Sequence, residues 1–129
     1  MASPKTTILH VEDDASLQNL VRIALESLGG YTVRTAPDGE SALALAREAA
    51  PELLLLDLDL PGMNGIDTLR ALRALPGLAG VPAVFLTAVN DAAIAAELAA
   101  LGVSEVLQKP FRPRLLVAAI GRVLGRRET

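Results

Sequence analysis

The sequence predicts an α/β fold in which a doubly wound, five-stranded parallel sheet carries helices on both faces. Three observations support this prediction. Short apolar runs alternate five times with amphipathic stripes at helical spacing along the 129 residues. The run of four leucines at residues 53–56 has no polar face, as expected for a strand that helices cover on both sides. Because parallel strands need crossover connections, this regular alternation indicates one parallel sheet rather than hairpins.

Each element has its own signal in the sequence. The strands are predicted from short apolar or β-branched runs at residues 7–11, 31–36, 53–56, 82–87 and 103–108. The helices are predicted from apolar stripes within residues 17–28, 41–49, 66–72, 94–101 and 115–124. Gly29 and Gly30 close the first helix, Pro51 follows the second, and Gly102 stops the fourth.

The third predicted helix follows a turn-rich loop at residues 60–65 and has a narrow apolar stripe. Arg70 and Arg73 fall outside this stripe, so both side chains are expected to point away from the core. No linker or low-complexity tract interrupts the βα alternation. Residues 1–129 are therefore expected to form one domain, with its core at about residues 6–124.

Composition excludes several classes of protein. Hydrophobic residues make up 51% of the chain, which is too many for intrinsic disorder. No stretch approaches the ~18 apolar residues of a membrane span, and the first residues lack the apolar core of a signal peptide. The chain has no cysteine, a net charge of −3 and only 2% aromatic residues. A cytoplasmic globular domain without direct nucleic-acid or membrane contact is expected.

Polar residues follow four of the five predicted strands. They are Glu12, Asp13 and Asp14 after the first strand, Asp57 after the third, Thr87 at the end of the fourth and Lys109 after the fifth. The carboxyl ends of parallel strands meet at one edge of the sheet, where open α/β folds bind ligands. Clustered carboxylates repel one another unless a cation neutralises them, and a site built from oxygen ligands suits Mg²⁺. A carboxylate beside Mg²⁺, an ammonium and a hydroxyl could accept a phosphoryl group.

Each of these residues also has a purely structural interpretation. Asp14 precedes a helix and is expected to be its N-cap rather than a ligand. Asp59 lies just before a turn and could be a turn residue or a functional one. Thr87 could simply be a β-branched strand end, and Lys109 could form a structural ion pair. His10, the single histidine, is expected to pack in the core.

Taken together, these residues resemble the receiver domain of two-component response regulators, over about residues 6–124. The resemblance is to chemotaxis-regulator-like receivers with the flavodoxin-like (βα)5 fold. It rests on four motifs in order, namely residues 11–14 (VEDD), 54–65 (LLLDLDLPGMNG), 87–88 (TA) and 109–111 (KPF). Any one of them is a weak signal, whereas all four at the predicted strand ends are specific.

The resemblance implies a role for each site residue. Asp57 would be the phosphoacceptor, Thr87 would hydrogen-bond the phosphoryl group, and Lys109 would pair with Asp57 and then with the phosphoryl oxygens. The Lys109–Pro110 peptide bond would be cis. Ala88 is small and would leave the phosphoryl group accessible.

The resemblance also implies a cofactor and partners. Mg²⁺ would be held by Glu12, Asp13, Asp57 and the backbone carbonyl of Asp59. The phosphodonor would be a sensor histidine kinase or a phosphotransfer protein. The phosphorylated domain would signal to a downstream protein or a fused output domain through its fourth helix, fifth strand and fifth helix. It would promote its own phosphorylation and dephosphorylation without turning over an external substrate.

Two departures from the family pattern bear on switching. Val106 stands where the family usually has an aromatic residue whose rotation accompanies movement of the threonine. We therefore expect coupling to run through Thr87 and the following residues 88–91. The stretch at residues 92–100 is rich in alanine and poor in charge, which disfavours the symmetric dimer of the transcription-factor branch. A monomer or weak dimer is expected.

Two other functions remain open at this point. Asp57-Leu58-Asp59 also resembles the first motif of haloacid-dehalogenase-type phosphatases, but those enzymes need an acid pair after the lysine, and only Glu128 is acidic there. A degenerate receiver that acts only as an interaction module is favoured by Val106 and disfavoured by the intact acids. A flavodoxin-type cofactor site lacks a phosphate-binding loop. The chain could be a complete single-domain regulator or an excised receiver.

Overall fold

The structure is a computed structural model that describes residues 6–88 and 92–128, with side chains described up to residue 125. Its strands are β1 (Thr7–Val11), β2 (Thr32–Ala36), β3 (Leu53–Asp57), β4 (Ala83–Thr87) and β5 (Glu105–Gln108). Its helices are α1 (Ala15–Ile23), α2 (Gly39–Glu48), α3 (Gly65–Arg73), α4 (Ala92–Ala100) and α5 (Pro113–Glu128). In the described part of the chain, none of these helices has the length and apolarity needed to cross a bilayer.

The five strands form one parallel sheet in the order β2-β1-β3-β4-β5. The strand order reverses between β1 and β3, which is the switch point where ligands bind in open α/β sheets. Two apolar cores lie on the two faces, one under α2, α3 and α4 and the other under α1 and α5. The leucines of β3 alternate between these cores and are fully buried, which confirms the predicted doubly wound fold.

Polar residues in the preceding loops set the starts of three helices. Asp14 accepts a hydrogen bond from the Leu17 N–H at 2.9 Å and caps α1, as the sequence predicts. Asp38 caps α2 and Asn64 caps α3 in the same way. The first predicted helix does not stay α-helical to its end, because residues Ala24–Leu28 form a π-helical segment.

The two arginines of α3 lie outside its apolar stripe and differ in exposure. Arg70 is half-exposed and reaches Asp67 at 3.6 Å and Glu97 of α4 at 3.7 Å. Arg73 also lies outside the apolar stripe but is only partly exposed, because its Nη1 donates to the carbonyl of Leu101 just after α4. The last carbonyls of a helix lack intrahelical partners, and Arg73 satisfies one of them. Both arginines therefore connect α3 to α4.

Candidate functional site

Three carboxylates meet at the carboxyl edge of the sheet. Asp57 ends β3, and Glu12 and Asp13 directly follow β1, its neighbour in the sheet. One oxygen from each of the three lies within 4.8 Å of the others. Glu12 is 1% exposed and Asp57 is 5% exposed, whereas Asp13 faces solvent. Parallel pairing of β1 with β3 thus brings together acids that are far apart in the sequence.

Lys109 places its ammonium group against two of these acids. Its Nζ lies 3.0 Å from Oδ2 of Asp57 and 3.2 Å from Oε1 of Glu12. The backbone N–H of Lys109 donates to the carbonyl of Thr87 at 2.7 Å, which ties the end of β5 to the end of β4. Thr87 is 3% exposed, and the Lys109–Pro110 peptide bond is cis, as the resemblance implies.

The pKa values of Glu12 and Lys109, the two side chains beside Asp57, are both raised, although for different reasons. Burial raises the pKa of Glu12 to about 7, and the nearby charge of Asp57 adds to the rise while the Asp14 N–H and Lys109 oppose it. Burial alone would lower the pKa of Lys109, but its hydrogen bond to Asp57 and the charges of both acids outweigh burial and raise that pKa. The ammonium therefore stays charged, while the carboxylates retain an excess of negative charge.

Backbone and side-chain donors hold the acidic loop in place. The N–H of Asp59 donates to Oδ1 of Asp57 at 3.2 Å, and the N–H of Asp14 donates to Oε2 of Glu12 at 3.2 Å. The side-chain amide of Gln18 donates to the carbonyl of Glu12. Gln18 was not predicted as a site residue. Its position one turn after the cap of α1 is the sequence signal that could have identified it.

Gly65 allows α3 to begin directly beneath the site. Its N–H donates to the carbonyl of Leu58 at 2.9 Å. A Cβ at this position would overlap the carbonyl oxygen of Asp57 and press on Leu58. Any larger residue would therefore push α3 away from the end of β3. The sequence identifies Gly65 only as part of a motif, because close backbone approach is visible only in the fold.

The donor set fits a magnesium ion. All three ligand candidates offer oxygen, two of them are buried, and among the described residues one ammonium, that of Lys109, pairs with them. The side chain of Asp59 is exposed, and the role of its carbonyl as a ligand stays a prediction. Val106 lies elsewhere, opposite Phe85 on the edge strand β5, and is 44% exposed. Residues 89–91 of the expected coupling loop lie outside the described residues.

Comparisons with known proteins agree with this geometry. The family model for the response regulator receiver domain matches residues 8–121. The DNA-binding response regulator MtrA of Mycobacterium tuberculosis strain H37Rv is 42% identical over 128 residues, which cover 99% of this chain and 54% of MtrA. The phosphate regulon transcriptional regulatory protein PhoB of Pseudomonas aeruginosa is 35% identical over 120 residues, which cover 93% of this chain and 52% of PhoB. The chain therefore spans about half the length of these curated relatives.

Solved structures give the same result for the fold. Chemotaxis protein CheY4 of Vibrio cholerae superposes with a TM-score of 0.88 at 32% identity, over 93% of this chain and 99% of CheY4. A CheY-like receiver domain protein of Methanospirillum hungatei has a TM-score of 0.88 at 26% identity, over 97% of this chain and 98% of its own. The family match, the parallel sheet and the acidic site beside Lys109 agree, and the chain belongs to the receiver domain family of two-component response regulators.

Proposed function

We propose that Asp57 is the phosphoacceptor of this receiver domain and takes a phosphoryl group from a phosphohistidine of a sensor kinase or phosphotransfer protein. The observation that carries the proposal is the position of its carboxylate. Oδ2 of Asp57 lies 3.0 Å from the Lys109 ammonium, and Oδ1 accepts from the N–H of Asp59. The carboxylate is therefore oriented from two sides at the edge where a donor can approach.

The transfer is a displacement at phosphorus. An oxygen of Asp57 forms the new O–P bond while the P–N bond of the phosphohistidine breaks, and the imidazole leaves with the electron pair. The Lys109 ammonium, which pairs with the Asp57 carboxylate before transfer, pairs with the phosphoryl oxygens afterwards. The Thr87 hydroxyl donates a hydrogen bond to one of these oxygens. Positioning and charge compensation of this kind are the main contributions a protein makes to phosphoryl transfer.

Mg²⁺ is the cofactor in this proposal. Glu12, Asp13 and Asp57 would hold it, with the backbone carbonyl of Asp59 as a further ligand, and the bound ion would neutralise charge on the transferred oxygens. Support comes from the excess of three carboxylates over one ammonium at the site. Without a cation, their mutual repulsion would oppose the closeness of the three side chains.

The order of the acids argues against a haloacid-dehalogenase-type phosphatase. Receiver domains are generally not turnover enzymes, and we extend this to the present chain. The metal-binding acids precede Asp57 in the sequence, and only Glu128 follows Lys109. The degenerate-receiver alternative is also disfavoured, because Asp57, Lys109 and the acid pair occupy one site.

The wider role of the protein is also a proposal. We propose that residues 6–124 are the core of one receiver unit, monomeric or weakly dimeric, that signals through α4, β5 and α5. MtrA is named as a DNA-binding regulator, so the comparisons give no support to the expectation that nucleic acid plays no part. We propose that this domain acts on a downstream protein or a fused output domain, and that it does so in the cytoplasm, where kinases use ATP.

Phosphorylation with a small donor tests the chemistry directly. The chain would be incubated with phosphoramidate and Mg²⁺ and its intact mass measured. We expect a gain of one phosphoryl group in the wild type and in Asp59→Asn, and no gain in Asp57→Ala or after Mg²⁺ is chelated. Asp59→Asn is the matched control, because it removes a neighbouring carboxylate and keeps the backbone carbonyl. An unchanged mass gain in Asp57→Ala would refute the proposal.

A further inference from the structure

A cavity opens at the edge of the sheet opposite the acidic site. It has a volume of about 510 Å³ and is lined in part by the segments that precede β4 and β5. Pro82 directly precedes β4 and Ser104 directly precedes β5, so the cavity lies at the amino ends of these strands. Asp57 lies at the carboxyl end of β3, and the proposed phosphoryl transfer does not use the opposite end of the molecule.

An arginine on the wall of this cavity carries a charge that its surroundings do not compensate. Arg73 forms no ion pair with a carboxylate among the described residues. Its Nη1 donates to the carbonyl of Leu101, whereas its Nε is buried and has no hydrogen-bond partner in the same part of the chain. Burial lowers the pKa of Arg73, because its charge is partly removed from water. A charge in such a position is costly unless an opposite charge accompanies it.

A second arginine of the same helix shows the usual arrangement. Arg70 lies one turn earlier on α3, is exposed and has the carboxylates of Asp67 and Glu97 within reach. Arg73 is less exposed and lacks such partners among the described residues, although it is the arginine that needs a counter-charge more. An anion inside the cavity would supply that charge.

The other walls of the cavity define the kind of anion that fits. They are mainly apolar and include Val81, Pro82, Leu101 and Val123, while Ser104 offers a hydroxyl. Among the described residues that line the cavity, Arg73 is the one cationic side chain. Small-molecule sites typically have volumes of about 300–1,000 Å³, with mostly apolar walls and a few polar groups that fix orientation. A single positive charge in such walls matches a ligand with one negative charge and an apolar body.

We propose that this cavity binds a small carboxylic acid with an apolar body, and that Arg73 pairs with its carboxylate. A guanidinium is a planar fork of N–H donors that matches the two oxygens of a carboxylate. The Ser104 hydroxyl donates to one of these oxygens, and the apolar body fills the space beside Val81 and Val123. The site is separate from Asp57, so the inference goes beyond the proposed function and does not depend on it.

The test titrates the full chain with phenylbutyrate and with phenylbutyramide, which has nearly the same shape without the charge. Backbone chemical shifts give both the location of binding and the dissociation constant. We expect saturable shifts at residues 79–82 and 101–104. Phenylbutyramide should bind about tenfold more weakly, because it lacks the charge that pairs with Arg73.

Two variants and a matched control locate the carboxylate. Arg73→Gln removes the charge but keeps an N–H that can donate to Leu101, so it should weaken phenylbutyrate about tenfold and leave phenylbutyramide unchanged. Arg70→Gln removes the same charge from the same helix outside the cavity and should bind like the wild type. A Cβ at Gly80 meets no atom within 4 Å, so Gly80→Leu narrows the cavity without touching Arg73 and should weaken both ligands.

Three results would overturn the inference. They are equal binding of the two ligands, equal losses in Arg73→Gln and Arg70→Gln, and shifts centred on residues 14–20 and 109–111, where another apolar cavity lies beside Lys109. If Arg73→Gln loses both ligands, the cavity itself has changed and Gly80→Leu decides. Wild-type affinity for phenylbutyrate in Gly80→Leu then counts against the inference, and reduced affinity supports it.

Discussion

At the scale of single residues, His10 is the buried polar group that the proposed chemistry does not use. It is 0% exposed on β1, between Thr35 of β2 and Leu55 of β3. Both ring nitrogens lack a hydrogen-bond partner in the part of the chain that the structure describes. Burial, helped by the charge of Lys109, lowers the pKa of His10 to about 3. The prediction that His10 packs in the core is confirmed, and its imidazole is neutral in the native state.

Replacement of His10 by leucine should stabilise the domain. Because two unpartnered polar atoms are removed from the core, we expect a gain of about 1–2 kcal/mol in the free energy of unfolding at pH 7. Below pH 6.5 the His10 imidazole is protonated in the unfolded wild type, whereas in the native state it is protonated only below about pH 3. The difference in the free energy of unfolding between His10→Leu and the wild type should therefore grow by about 1.4 kcal/mol per pH unit as the pH falls.

Urea unfolding at pH 7 and pH 5.5, in chelator, measures this difference for His10→Leu against the wild type. Glu12 has a raised pKa, so its contribution has the opposite sign: it is present at low pH and is lost as the pH rises from about 4.5 to 7. Both proteins contain Glu12, so its contribution cancels in the comparison. If the stability difference between His10→Leu and the wild type is the same at both pH values, the lowered pKa of His10 is contradicted.

At the scale of elements, α4 is a helix with few buried side chains. Leu98 is its one buried residue among those described, and most of its other side chains are exposed alanines. Two arginines of α3 supply further attachment, Arg70 through Glu97 and Arg73 through the carbonyl of Leu101. The first contact is an exposed ion pair, and the second is a charged hydrogen bond that is partly buried. They should differ in strength.

Removal of Arg73 should loosen α4 more than removal of Arg70. A hydrogen bond from a charged group contributes about 1.5–3 kcal/mol, whereas an exposed ion pair contributes about 0.2–1 kcal/mol. We expect Arg73→Met to speed amide hydrogen exchange at residues 96–103 about tenfold or more, and Arg70→Met to change it less than about fivefold. Residue-resolved exchange by NMR gives both values. Similar effects of the two variants would show that the Leu101 contact adds nothing.

The same element shows where sequence periodicity stops being informative. The apolar stripe of α3 identifies the face that packs on the sheet, and that prediction is confirmed. The stripe carries no information about which helix lies beside its flank, so the contact of Arg73 with the Leu101 carbonyl could not be predicted. The π-helical segment after α1 lies against α5, and no turn residue inside residues 24–28 marks it in the sequence.

At the scale of the whole molecule, topology determines the site. Five apolar runs separated by helices predict parallel strands, and parallel strands bring Asp13, Asp57 and Lys109 to one edge whatever the loop details. The proximity of these groups was therefore predictable. The 3.0 Å ion pair, the raised pKa of Glu12 and the support from Gln18 were not, because they depend on burial and loop geometry.

Switching is also a property of the whole molecule, and we expect it to follow a route that avoids Val106. The carbonyl of Thr87 accepts from the N–H of Lys109, so the ends of β4 and β5 are joined through the backbone beside Asp57. Val106 is 44% exposed, so a large part of its side chain faces solvent and not the interior. We expect Thr87 and the residues after it to carry the signal to α4 and β5.

Amide chemical shifts on addition of beryllofluoride and Mg²⁺ test this route. In the wild type they should change at the pocket and also across residues 92–108. Thr87→Val should keep the changes near Asp57 and lose the distant ones, because the hydroxyl that meets the phosphoryl mimic is gone. Val106→Ala should keep both sets, since its side chain is not part of the route. Changes confined to the pocket of the wild type would mean that this domain binds the phosphoryl group without altering its α4–β5–α5 surface.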